Sequence, residues 1–279
     1  MIVLQILYFL AGCFFIAFST WSLGDAAFIT KALLMPLLML YYHLDVRGRY
    51  TLLHILVMTG LLFSWFGDVL LQVPARQWGI PHLRDELFMA GLGSFLVTQL
   101  LYTAAFILPG RLSVMRAKGY SVTRPMESSV NQPQSSSATR PKSFSIILSK
   151  EAKQSEKAAG FLVLFIVAGY GGLLYWILYD GLGGMKVPVA AYTIVITAML
   201  LAALNRYGKV NRTSFLLVAA GAALFVASDS LIAINKFHTK LDYSTISVMS
   251  TYVLAQYLIA RGCLRENMIL SKKETLERS

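Results

Sequence analysis

Cysteine is nearly absent from this chain: Cys13 and Cys263 are the only two in 279 residues. Two isolated thiols give no disulfide framework and no thiolate metal site. Histidine is scarce as well, and His43, His54, His82 and His238 show no ligand spacing of the HExxH kind. No metal and no cofactor is expected. Charge is the third scarcity. Charged residues make up 14% of the chain, against about 25% in a water-soluble domain, while 56% is hydrophobic and the mean hydropathy is +0.61. That balance excludes an ordinary soluble domain and makes lipid the solvent for most of the chain.

What is present is a series of long apolar runs. Stretches of about 17–25 apolar residues fall near 2–22, 28–46, 51–73, 86–109, 159–180, 186–206, 213–235 and 245–264. Most are separated by short connectors with turn or cap residues, such as Leu23-Gly24-Asp25, 181–184 and Asn211-Arg212-Thr213. Connectors this short leave no room for further domains. The expected fold is all-α, a polytopic bundle of eight transmembrane helices forming a single domain over 1–279.

Basic residues outnumber acidic ones, 25 to 14, for a net charge of +11 and a pI near 9.7. With the N-terminus inside, the cytoplasmic segments hold 19 of the 25 Lys and Arg. The positive-inside rule therefore places both termini in the cytoplasm and accounts for the basic balance without nucleic acid. The expected location is a bacterial inner (cell) membrane. Leu10-Ala11-Gly12-Cys13 matches a lipoprotein cleavage box, yet no Lys or Arg precedes it. It is read as packing within the first membrane helix.

The segment at about 111–157 is different material. Its Ser, Gln, Pro and basic content, as in Gln132-Pro133-Gln134-Ser135-Ser136-Ser137, buries too little apolar surface to offset the cost of ordering. A flexible cytoplasmic insert is expected, in which Phe144-Ser145-Ile146-Ile147-Leu148 with Lys150, Lys153 and Lys157 is able to form an interfacial helix.

Against this apolar background two acids stand out: Asp68 in the third run and Asp229 in the seventh. A carboxylate at the centre of a membrane helix costs on the order of 2.5–3.5 kcal/mol, so such residues are functional candidates by default. Ser64 and Asp68 share a helical face, beside Gly67. Ser228-Asp229-Ser230 lies in the seventh run, Tyr252 and Gln256 sit one turn apart in the eighth, and Gly91, Phe95, Gln99 and Tyr102 follow helical spacing in the fourth. These faces are able to converge on one polar pocket. Individually, Ser, Gln and Tyr in membrane helices are often interhelical hydrogen-bond partners worth about 0.6 kcal/mol each. The aspartates weigh differently, because Lys31 is the only well-placed cation within the apolar runs and cannot neutralise both. Asp85 and Glu86 open the fourth helix, where acids meet the helix dipole favourably, and read as structural.

In their order along the chain, Lys31 ahead of Pro36, Leu62-Phe63-Ser64-Trp65-Phe66-Gly67-Asp68, Gly91 with Ser94 and Phe95, Phe225-Val226-Ala227-Ser228-Asp229-Ser230, and Thr251-Tyr252 with Gln256 resemble the YhhN family, which includes the lysoplasmalogenases. The likeness covers all eight runs and leaves out 111–157. Two positions depart from the pattern: Ala32 follows Lys31 where Pro is frequent, and Gln99 stands where His is expected, which removes an imidazole proton relay there.

The resemblance implies hydrolysis of the vinyl-ether bond of a lysoplasmalogen to a fatty aldehyde and a glycerophospho-base, with a lysophospholipid drawn from the bilayer as substrate. Such a bond breaks by protonation of its β-carbon, followed by attack of water on the oxocarbenium ion. One protonated and one ionised carboxyl supply acid and base, as at glycosidic bonds. Asp68 and Asp229 are therefore the expected catalytic pair, facing each other across a lipid cavity. Ser64, Ser228, Tyr252 and Gln256 are expected to orient carboxyls and water, Gln99 and Tyr102 to line the pocket, and Lys31 to attract the phosphate.

Rival readings remain. A proton-coupled transporter also uses membrane carboxylates, although the runs show no inverted repeat. An intramembrane aspartyl protease needs a Gly-x-Gly-Asp motif, and here the sequence is Trp65-Phe66-Gly67-Asp68. A lipid-binding family member without activity is the third.

Overall fold

A computed structural model describes residues 1–48, 50–73, 81–119 and 142–278. The helices are α1 (Ile2–Thr20), α2 (Gly24–Val46), α3 (Leu52–Gln72), α4 (Pro81–Gly119), α5 (Lys142–Leu178), α6 (Lys186–Leu204), α7 (Arg212–Phe237) and α8 (Ser244–Arg278). Two short 3-10 turns, Tyr179–Gly181 and Gly183–Met185, join α5 to α6. No strand occurs among the described residues.

Seven helices, α1 to α7, carry segments long and apolar enough to cross a membrane. Of the eight expected spans, α8 is the one not counted among the described residues. The physical reason lies in its surroundings. α8 is packed by α7, α1, α2 and α3, and Tyr252, Gln256 and Cys263 are all buried. A helix enclosed by other helices satisfies its polar groups within the bundle and does not need an apolar face toward lipid. α5 shows the opposite case. Phe161, Phe165 and Trp176 are 72%, 73% and 75% exposed, an apolar surface that only lipid covers favourably. The protein is an integral membrane protein.

The most extensive helix contacts are α7 on α8 and α3 on α4. Glycine makes the first possible: a Cβ on Gly221 would lie 2.9 Å from the Ala255 carbonyl oxygen, and one on Gly262 3.0 Å from the Val218 amide nitrogen. Backbone meets backbone there, the close approach that small residues permit in membranes. α2 is tied to α3 by another device. Pro36 has no N–H to offer the carbonyl four residues back, that of Ala32. The Trp65 indole N–H takes that carbonyl at 2.9 Å. The proline that breaks the ladder of α2 thus fixes α3 against it, one residue from Lys31.

Regular helix enters the expected insert from both sides, to Gly119 and from Lys142, the latter covering the stretch read as an interfacial helix. Residues 120–141, the middle of the expected flexible insert, lie outside the described residues.

Candidate active site

α3 and α8 run antiparallel, and their one-turn pairs meet in register. The Tyr252 hydroxyl donates to Asp68 Oδ2 at 2.7 Å, and one turn away the Gln256 amide donates to Ser64 Oγ at 2.8 Å. Tyr102 donates to Gln256 Oε1 at 2.7 Å, while Ser64 Oγ donates to Thr98 Oγ1 at 3.2 Å and Thr98 to the Gly60 carbonyl at 3.1 Å. Every member of this chain is buried and its hydrogen bonds run in one direction, which rigidifies the seam between α3, α4 and α8. One turn from Ser64, beside the Tyr252–Asp68 pair, Lys31 Nζ lies 3.6 Å from Asp68 Oδ1, with the carboxylate 2% and the lysine 12% exposed. The ammonium also stands 5.4 Å over the Phe15 ring. Lys31 is engaged with Asp68.

Asp229 belongs to a second cluster. Its Oδ2 accepts from the Gln99 amide at 2.9 Å and from the Tyr192 hydroxyl, and Gln99 Nε2 also lies 2.7 Å from the Tyr192 oxygen. Both partners are neutral. α4, α6 and α7 contribute one member each, so the cluster exists only once three helices are packed. Gln99 Oε1 is buried with no hydrogen-bond partner among the described residues.

Asp229 forms part of the wall of a partly open cavity between α4, α5, α6 and α7, about 780 Å³ of empty space counted to its open side. The wall is otherwise apolar, with Leu92, Phe95, Leu174, Ile196 and Val226 prominent and few polar groups beyond Asp229, Tyr192 and the Tyr170–Ser230 pair. Tyr170 donates to Ser230 Oγ at 2.8 Å. The chamber is thus apolar apart from one carboxyl and a few hydroxyl groups.

Asp68 is not among the residues lining this cavity. Phe95 touches both sides. Its ring lines the cavity and meets Tyr252 edge-on, with centroids 5.9 Å apart. It lies so close to Gly67 that a Cβ there would fall 2.7 Å from the ring. Of the expected site residues, the structure brings together Lys31, Asp68 and Tyr252, then Ser64, Gln256 and Tyr102, then Asp229 and Gln99. Ser228 goes elsewhere: its hydroxyl donates to the Val248 carbonyl at 3.1 Å and ties α7 to α8. Tyr192 and Thr98 were missed. A single tyrosine in the apolar run Val187 to Leu204 was the available signal for the first, whereas nothing marks Thr98 apart from other membrane threonines. Among the described residues no cluster of His, Cys, Asp or Glu is able to hold a metal ion.

Residues 26–125 and 143–263 match the YhhN family. The chain belongs to that family. The match enters the insert from both sides, where it leaves out 126–142, and it begins at residue 26, so it does not take in the first apolar run that the likeness was expected to cover. A lysoplasmalogenase of Mycobacterium bovis is 26% identical over 203 residues, covering 73% of this chain and 58% of its own length. Lysoplasmalogenase TMEM86A of Homo sapiens is 37% identical over 99 residues, 34% of this chain and 41% of its own. Lysoplasmalogenase TMEM86B of Homo sapiens is 34% identical over 104 residues, 37% and 42% of the two chains. The match thus spans little more than half the length of the mycobacterial relative. No solved structure matches the chain.

Proposed function

We propose that this YhhN family member is a membrane hydrolase that cleaves the vinyl-ether bond of lysoplasmalogens to a fatty aldehyde and a glycerophospho-base. The observation that carries the reading is Asp229, a carboxyl held by neutral donors in the wall of an apolar cavity, with the cation-paired Asp68 and its partner Tyr252 on the other side of the Phe95 ring. The names of the relatives supply the bond type.

The surroundings divide the roles. Asp68, paired with Lys31, is the ionised partner. Asp229, whose donors are a phenol and an amide, is the acid. Tyr192 and Gln99 hold its Oδ2, which leaves Oδ1 to carry the proton toward the cavity. That proton passes to the β-carbon of the double bond and leaves an oxocarbenium ion. The negative charge of Asp68 stabilises it from behind Phe95. Water adds to the α-carbon. The proton of the added water passes within the chamber to the Asp229 carboxylate, which restores the acid, and the hemiacetal collapses to aldehyde and alcohol.

In this proposal α8 completes an eight-helix transmembrane bundle, both termini are cytoplasmic, the membrane is a bacterial inner membrane, and the insert is a linker within one domain. Purified protein is incubated in detergent with alkenyl and alkyl lysophospholipids. Free aldehyde from the alkenyl form alone is the expected result. Cleavage of both would mean a mechanism that does not use the double bond, and binding without aldehyde would make the protein a lipid binder.

A further inference from the structure

The two ends of the bundle are built differently. On the Met1 side α1 begins and α8 leaves the bundle, and Gln5 donates to the Tyr257 hydroxyl at 3.0 Å. There the Arg206 guanidinium, at the C-cap of α6, is buried against Glu266 and Ser214, and Ser214 donates to the Gly262 carbonyl at 2.7 Å. Tyr42 near the end of α2 and His54 near the start of α3, both buried, meet at 2.9 Å, and Arg261 donates to the Tyr41 hydroxyl. Buried polar pairs thus join five helices on that side. The opposite side carries the turn from α5 to α6, where Gly181 is packed so tightly on the Phe237 carbonyl that no Cβ fits. The Phe88 ring of α4 meets Phe237 with centroids 6.2 Å apart, and a Cβ on Gly91 would fall 2.9 Å from Leu71 of α3. Trp21, Trp176 and Tyr243, all exposed, lie at or beside the connectors on this side, as tryptophan and tyrosine do at a bilayer interface.

The chamber belongs to the Phe237 side. Its lining residues fall between 226 and 237 on α7, 170 and 178 on α5, 189 and 197 on α6, and 88 and 95 on α4. These are the parts of each helix nearer that side, with Thr197 just past the middle of α6. α7 sets the depth: 226 to 237 is about 16 Å of helix, against about 15 Å for half of a hydrocarbon core. Both acids share the side. Asp68 lies about 6 Å of helix from Gln72 and about 24 Å from Leu52, and Asp229 about 12 Å from Phe237 and about 26 Å from Arg212, at about 1.5 Å per residue. From this placement we infer that the chamber takes a single-chain phospholipid only from the leaflet on the Phe237 side, the one away from both termini. The inference rests on the lysophospholipid reading of the chamber and adds the membrane face that supplies it. A lipid of that leaflet lays its chain along a chamber one leaflet deep without carrying its phosphate across the membrane. A lipid of the other leaflet would have to bring a charged phosphate through hydrocarbon, and on its own side it meets the Arg206–Glu266 and Tyr42–His54 pairs in place of the chamber wall.

The test reads side first and reaction second. The full chain, tagged at its C-terminus, is reconstituted at low density into sealed phosphatidylcholine vesicles, and those with the tag outside are separated by capture on it. The probe is an alkyl-ether lysophosphatidylcholine with a photoreactive group in its chain, added outside and illuminated before it crosses the bilayer. It has no cleavable double bond, so it reports binding alone. The signal is the label removed by excess unlabelled alkyl-ether lysophosphatidylcholine, which discounts probe lying against the lipid-facing helices. Label is expected in vesicles with the tag inside and absent from those with it outside, until detergent opens the vesicles and makes the two equal. Equal label in both before detergent overturns the inference, as does label in the tag-outside vesicles alone or no competed label even in detergent. Ala233→Trp, which adds bulk to the chamber wall one turn from Asp229, should remove the competed label. Persistence of the label in that variant would place the bound lipid outside the chamber and overturn the inference too. Aldehyde release from the alkenyl lipid is measured separately in detergent. Its absence with one-sided label intact would remove the hydrolase reading and keep the sidedness.

Discussion

Asp68 and Asp229 are the same residue type in the same kind of helix, yet the bundle treats them in opposite ways. Asp68 is sealed on the α3–α8 seam with a lysine and a tyrosine, behind the ring of Phe95. Asp229 has only neutral partners and forms part of the wall of an open chamber. The difference teaches that an intramembrane acid is not defined by its cost. What surrounds it decides whether the cost is offset by a charge partner, as at Asp68, or by neutral hydrogen-bond donors beside a cavity, as at Asp229, the setting on which its proposed role as an acid rests.

The largest test of that contrast is Asp229→Asn. The amide cannot donate a proton to carbon, and aldehyde release should fall by about 10³-fold or more, within the span assigned to general acids, with the detergent-solubilised protein still monodisperse and helical. A parental rate in that variant would remove Asp229 from the chemistry. Next comes Asp68→Asn, expected to lower kcat by about 10²-fold, the scale of one preorganised electrostatic stabiliser. The same change leaves the Lys31 charge buried without its partner, at a cost of about 3 kcal/mol in unfolding free energy. Adding Lys31→Met should restore stability in thermal or denaturant unfolding without restoring activity. Recovery of both would make Asp68 a purely structural counter-ion.

Smaller effects sharpen the same contrast. Tyr192→Phe removes one of two donors from Asp229 Oδ2, and kcat should drop about tenfold, the equivalent of one hydrogen bond to a reacting group. The KM for lysoplasmalogen should hardly change; a rise in KM with kcat intact would make Tyr192 a substrate contact. At the low end, Tyr170→Phe breaks the bond to Ser230 in the cavity wall but touches neither acid. Its effect on kcat/KM should stay within about twofold. A larger loss would place the reacting bond on the α5 side of the chamber.

Much of the fold was legible because a membrane span is a matter of local composition: every run longer than about 17 apolar residues became a helix. α8 became a helix as well but is not apolar enough to count as a span, and it shows where composition stops. Its Tyr252, Gln256 and Arg261 are tolerated because neighbouring helices enclose it, and enclosure is not written in a hydropathy profile. The site divided in the same way. Helical spacing placed Ser64 with Asp68 and Tyr252 with Gln256, and the structure pairs the two faces rung by rung. Ser228 sits beside Asp229 in sequence, yet helix rotation turns it to the Val248 carbonyl, whereas Tyr192, on another helix, reaches the carboxylate.

The sequence by itself determined that this chain lives in lipid, that it is helical, and that two acids lie where they are expensive. These properties depend on residue type and spacing within one helix. The tertiary structure alone decided which acid receives the lysine and which faces the chamber. The bonds that settle it join residues 184 and 37 positions apart, Asp68 to Tyr252 and Asp229 to Tyr192. Such contacts follow from how whole helices rotate and cross against one another, and those angles are set by the packing of every helix at once.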